Sequence, residues 1–151
     1  MSALELLDVV LDAGSFRCWD TAPVAVPAGP AYAAELARAR ERTGLDEAVV
    51  TGEGLIRGRR VALIACEFAF LAGSIGVAAA ERLVVAIERA SAEGLPLLAA
   101  PVSGGTRMQE GTVAFLQMVK ISYPRAQVQG GAHERDMHGG QQFVRLLDVE
   151  V

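Results

Sequence analysis

Two hydrophobic periods alternate along the chain. In ALELLDVVLD, residues 3–12, Leu4, Leu7, Val10 and Leu11 recur at three- and four-residue spacing. That spacing predicts a short amphipathic helix, which Gly14 ends. Residues 18–30, CWDTAPVAVPAGP, hold three of the six prolines and predict no regular element. AYAAELARARERTG follows, rich in alanine, glutamate and arginine, and predicts a helix over 31–43 stopped by Gly44. From Glu47 the pattern changes to β-branched and apolar runs around Arg57-Gly58-Arg59, a hairpin signal. A longer helical pattern starts after Leu71-Ala72-Gly73, with Ser74 as the expected N-cap and Gly94 as the stop. The apolar run 95–102 predicts a buried strand, and MQEGTVAFLQMVK predicts a helix from about Met108 to Ile121. Strand, helix, strand and helix with short connections imply an α/β fold with parallel pairing and right-handed crossovers.

The last thirty residues break this pattern. They carry both histidines, four of the six glutamines and the pairs Gly130-Gly131 and Gly139-Gly140. Only FVRLLDVEV has the apolar content to pack, as a short terminal strand or helix.

Composition narrows the class. A chain of 151 residues, 52% hydrophobic and 21% charged, suits one globular domain with a single core. A net charge of −4 gives no basic patch for nucleic acid. No apolar run reaches the roughly 18 residues of a membrane span. The acidic, amphipathic start lacks the features of a secretory signal, and Cys18 and Cys66 stand alone, so a cytoplasmic chain with reduced thiols is expected.

The candidate chemistry lies where the strand 95–102 hands over to its helix, at Ser103-Gly104-Gly105-Thr106-Arg107. Backbone N–H groups at a helix start lack intrahelical partners, and glycine lets a ligand approach them closely. Such a junction suits an anion, or a carbonyl oxygen that becomes one, with Arg107 adding charge. The same two glycines also serve a tight turn with no ligand. A second glycine-flanked start, Gly73-Ser74-Ile75-Gly76, has the same two readings, with tight packing favoured. Arg82, three turns into the next helix, reads as a solvated charge beside Glu81 and Glu88 or as a phosphate contact. His133 and His138 are five apart and lack a partner at ligand spacing, and Ser103 lacks a histidine base, so neither a metal site nor a serine-hydrolase triad is expected.

Taken together, TGLDEAVVTGEG…VALIACEFAFLAGSIGVAAAER…LPLLAAPVSGGTRMQEG…FLQMVKIS resembles the β-type carboxyltransferase subunit of acetyl-CoA and other acyl-CoA carboxylases. The lead-in LLDVVLDAGSFRCWD is similar as well. The resemblance implies a crotonase-like fold of ββα units in a right-handed superhelix, incomplete here. It implies transfer of a carboxyl group from carboxybiotin to an acyl-CoA, as in fatty-acid biosynthesis. The resemblance makes Gly104 and Gly105 the catalytic donors that hold the thioester enolate. It places Gly73, Ser74, Gly76, Arg82, Ser103, Thr106 and Arg107 on the substrate, with Arg107 orienting the loop or meeting a negative group. No cofactor would bind directly and no metal is implied. Acyl-CoA is the substrate, and carboxybiotin arrives on a biotin carboxyl carrier with its biotin carboxylase. Ala72 stands where the family commonly has a second glycine, Glu67 where it has aspartate, Thr106 where it has alanine and Ala80 where glycine is frequent. After Ser122 the family pattern is lost. The expectation is a partial carboxyltransferase domain over 1–122 and a divergent tail over 123–151, from a truncated gene or a shifted frame. Such a chain would be inactive without the missing half or another copy; a non-catalytic acyl-CoA-binding module and a decayed fragment are the alternatives.

Overall fold

The computed structural model describes residues 1–122 and the pair 145–146. Its elements run α1 (Ala3–Val10), β1 (Arg17–Cys18), α2 (Pro30–Thr43), β2 (Val49–Ile56), β3 (Arg59–Cys66), α3 (Val77–Ala92), β4 (Leu97–Ala100), α4 (Gly111–Ser122) and β5 (Arg145–Leu146). Single 3-10 turns cover Leu71–Gly73 and Met108–Glu110. The strands form one sheet in the order β1-β2-β3-β4-β5; β1, β2 and β3 pair antiparallel, then β3, β4 and β5 parallel. β2, β3 and α3 make one ββα unit, and β4 with α4 begins the next.

Local chemistry accounts for most boundaries. Ser2 and Glu5 form a reciprocal capping box at the start of α1, each accepting from the other's backbone N–H. Pro30 opens α2 at its first turn, and Gly44, at φ 70°, closes it in the left-handed conformation. The hairpin turns on Arg57 and Gly58, both at positive φ, as a two-residue loop of this hand requires. Asp12 holds that turn by accepting from the N–H groups of Arg57 at 3.0 Å and Gly58 at 2.7 Å.

Strand alternation divides the core into two layers. Val50, Leu63 and Ala65 face Ala3, Leu7 and Leu11 of the α1 segment. Val49 and Ile64 face Ile75, Ala79, Ala80 and Ala86 on the α3 side. Alanines on the buried face of α3 let the helix sit close to the sheet, and Ala80 is wholly buried there. Helix α4 packs Met118 and Ile121 against this layer, and turns Val113, Phe115, Leu116 and Val119 to solvent.

Two expectations change. α3 starts at Val77 with Gly76 as its N-cap, so Ser74 is not the cap. The strand predicted over 95–102 is paired only over Leu97–Ala100. The tail's histidines and glycine pairs lie outside the described residues.

Candidate functional site

The two glycine-rich blocks meet. The Ile75 N–H donates to the Gly105 carbonyl at 2.8 Å, and the Arg107 N–H donates to the Ile75 carbonyl at 2.9 Å. They form a parallel bridge between Ile75 and Thr106. A third bond, from the Gly104 N–H to the Ala72 carbonyl at 2.8 Å, closes the seam. Close approach calls for glycine on the first block. A methyl group on Gly73 would collide with the Val102 carbonyl oxygen, and one on Gly76 with the Glu110 carboxylate. Ala72, Ser103, Gly104 and Gly105 form the exposed rim.

The seam carries backbone strain. Leu71, Ala72 and Gly73 all have positive φ, at 47°, 55° and 64°. A non-glycine residue pays roughly 1–2 kcal/mol for that conformation. This explains physically why Ala72, standing at a position where the resemblance expects glycine, is a disfavoured choice.

Beneath the seam lies a closed ion cluster. The Arg107 side chain is fully buried, as are those of Glu47 and Glu110. Its guanidinium grips Glu47 with both terminal nitrogens, one at 2.9 Å to Oε2 and the other to Oε1. It also donates to the Ser74 carbonyl at 2.7 Å, to Ser74 Oγ at 3.3 Å and to Tyr32 Oη at 3.4 Å. Burial works against the Arg107 charge, but the hydrogen bonds and charge of Glu47 outweigh it and raise its pKa above the usual arginine value. The Tyr32 hydroxyl donates to Glu110 at 2.5 Å; burial, then that bond, pushes its pKa up to about 12. Glu110 Oε2 accepts from the Val77 N–H at 2.6 Å and so takes the place of a capping side chain at the start of α3.

These contacts locate the residues that the sequence singled out. Gly104 and Gly105 were expected to offer free amides, yet the first bonds to Ala72 and the second to Ser103 Oγ at 3.1 Å. Arg107 was expected to orient the loop or to meet a negative group; its guanidinium meets Glu47 and holds the Ser74 carbonyl. The Ser74 and Gly76 helix start is closed by the carboxylate of Glu110, so its leading amide is not open to an anion. Gly73 and Thr106 serve the seam itself, and Ser103 caps its turn.

Arg82 is not a solvated charge. It is 7% exposed, tied to the Val49 and Thr21 carbonyls at 3.1 and 2.8 Å and to Asp46 at 2.7 Å. Asp20 lies 3.7 Å away, and among the described residues the Arg82 Nε has no hydrogen-bond partner. Burial opposes its charge, and Asp46 with Asp20 more than restores it. With Trp19, Pro23 and Glu81 it lines a cavity of about 160 Å³; Tyr32, Glu47, Arg107 and Glu110 line one of about 390 Å³ beneath the 23–28 segment.

Glu47, Glu110, Tyr32 and Asp20 escaped the sequence reading. The available signal was Glu47 abutting the apolar start of a strand, where an acidic side chain needs a partner. Among the described residues no group of three potential metal ligands occurs. No helix there is long and apolar enough to cross a membrane.

Comparison with known proteins supplies the context. The carboxyl transferase domain model matches residues 1–132, running past Ser122. The chain is 69% identical over 118 residues to a probable biotin-dependent acyl-coenzyme A carboxylase beta3 subunit of Mycobacterium tuberculosis, covering 78% of this chain and 24% of that protein. It is 41% identical over 153 residues to the acetyl-coenzyme A carboxylase carboxyl transferase subunit beta of Chloroflexus aggregans, covering 97% of this chain and 47% of that protein. Among solved structures it superposes on transcarboxylase 12S bound to hydrolysed methylmalonyl-coenzyme A, with a TM-score of 0.67 and 28% identity, over 86% of this chain and 24% of the other. The chain thus spans about a quarter of the mycobacterial relative's length.

Proposed function

The chain belongs to the carboxyl transferase domain family, and on that premise we propose that it is a carboxyltransferase component of a biotin-dependent acyl-CoA carboxylase. In this reading it supplies an acyl-CoA-facing surface, and carboxybiotin comes on a carrier protein served by a biotin carboxylase. Acetyl-CoA, with a place in fatty-acid biosynthesis, is the first substrate to test. The single observation that supports the reading is the seam: two blocks about thirty residues apart join through three backbone bonds into one glycine-rimmed ledge. Such a ledge lets a thioester lie against main chain, and the chemistry asks the protein to hold that thioester while its α-carbon gains a carboxyl group.

The purified chain, titrated calorimetrically with acetyl-CoA and propionyl-CoA, is expected to bind saturably and to bind free CoA less well. No heat and no thermal shift with either thioester overturns the proposal.

A second reading is favoured by the engaged amides of Gly104 and Gly105: the chain binds acyl-CoA, while the donors that stabilise an enolate come from elsewhere in the assembly. Carboxyl transfer from a carboxybiotinylated carrier separates the two. Turnover by this chain alone rejects the second reading, and binding without turnover supports it.

A further inference from the structure

We infer that Glu47 is a positioning residue for the acyl-CoA-facing ledge, acting through Arg107; this rests on the reading just given. The seam has few side chains to hold it. Gly73, Gly76, Gly104 and Gly105 contribute none, and Leu71, Ala72 and Gly73 occupy a left-handed path that the local sequence does not favour. Three backbone bonds join the two blocks, and the Arg107 guanidinium anchors one block to the other through the carbonyl and hydroxyl of Ser74. A guanidinium can aim at Ser74 only if its own plane is set. Glu47 sets it.

The Glu47 carboxylate meets the guanidinium at two points, and its Oε1 also accepts from the Ala48 N–H at 2.7 Å. That second attachment ties the carboxylate to the lead-in of β2, next to the wholly buried Ala48 and Val49. The line of control therefore runs from the rigid sheet, through Glu47 and Arg107, to the backbone at Ser74. Glu110 and Tyr32 do not duplicate it. Glu110 touches Arg107 only at 3.5 Å and spends its second oxygen on Val77, and the Tyr32 hydroxyl donates to Glu110 and accepts from Arg107 only at 3.4 Å. A glutamine at position 47 keeps the size of the carboxylate but loses its charge and offers one acceptor oxygen where the guanidinium nitrogens now use two.

The role differs from simple stabilisation in a measurable way. A buried ion pair replaced by apolar side chains of similar volume often leaves stability intact, whereas it cannot leave the aim of the guanidinium intact. Two variants of the whole chain serve the test, Glu47→Gln and the double change Glu47→Met with Arg107→Met. Amide hydrogen exchange is followed at Ile75, Gly104 and Arg107, with the amides of β3 as reference, and acetyl-CoA and propionyl-CoA are titrated against each protein.

In Glu47→Gln, exchange at the three seam amides is expected to rise about tenfold relative to β3, and thioester affinity to fall by about the same factor. The double variant removes Glu47 together with its counter-charge, so it is expected to lose less stability than Arg107→Ala, while its seam still exchanges fast and its affinity stays low. Uniform acceleration in seam and sheet alike, or a double variant with parental seam protection, overturns the inference. Parental affinity in a folded Glu47→Gln also overturns it. If the parent itself binds neither thioester, the functional proposal fails, and the exchange comparison still decides whether Glu47 holds the seam.

Discussion

Arg107 and Arg82 are both buried, each between two carboxylates, and their surroundings differ. Arg107 faces Glu47 and Glu110, whose side chains are 3% and 2% exposed. Arg82 faces Asp20 and Asp46, at 12% and 51%. The first guanidinium is fully engaged by side chains and one carbonyl. The second leaves Nε without a hydrogen-bond partner among the described residues, and its partner Asp46 reaches solvent. A buried cation with a complete set of buried partners is a clamp, because moving any member uncovers a charge. One whose partners reach solvent keeps capacity for another contact and contributes less to stability. The cation beside the glycine pair is the closed one, and the cation in the middle of a helix is the more open.

The sharpest way to break this contrast is to remove each arginine. Arg107→Ala is expected to cost about 3–5 kcal/mol, since Glu47 and Glu110 are left buried without a counter-charge. Denaturant unfolding at neutral pH measures it. Arg82→Ala is expected to cost only about 1–2 kcal/mol, because water can reach Asp46 in its place. Equal losses in the two variants would erase the distinction.

Gly76→Ala tests the clamp from the helix side. The added methyl group must push the Glu110 carboxylate off the Val77 amide, so a loss of about 1–3 kcal/mol is expected. Ala72→Gly goes the other way. Relief of the left-handed strain at φ 55° is expected to raise stability by about 1 kcal/mol, read as a higher midpoint temperature.

The last effect is a pH dependence carried by the closed cluster and seen in strongly alkaline solution. The Tyr32 hydroxyl titrates near 10 in an unfolded chain and at about 12 in the fold. A folded pKa above the unfolded one means the stabilisation is complete below pH 10 and is lost as pH climbs through 12. Stability measured over that window is expected to fall less steeply in Tyr32→Phe than in the parent.

Much of the scaffold was legible because its signals are local. Gly44 and Gly94 stop their helices at positive φ, and Arg57-Gly58 turns the hairpin, each with its cause within a few residues. The cap of α3 was not legible at Ser74, because the carboxylate that serves the Val77 amide belongs to Glu110, 33 positions beyond Val77. Arg82 looked solvated beside Glu81 and Glu88; its charge is instead met by Asp20 and Asp46, which precede the sheet's central strands. Helix α4 was visible as a helix, but its period did not show that Phe115 and Leu116 would face water while Met118 and Ile121 pack inward.

The order and kind of the elements, the glycine stops and the kinship with carboxyltransferases were determined by the residues themselves, since each depends on short-range dihedral preference or on motifs contiguous in the chain. The fate of the charges was decided only by tertiary structure. Whether Arg107 meets a ligand or a neighbour depends on Glu47, sixty positions away, arriving at hydrogen-bonding distance when the sheet closes. Charge and hydrogen bonding act through space over a few ångströms, and the fold alone decides which distant residues come within that range.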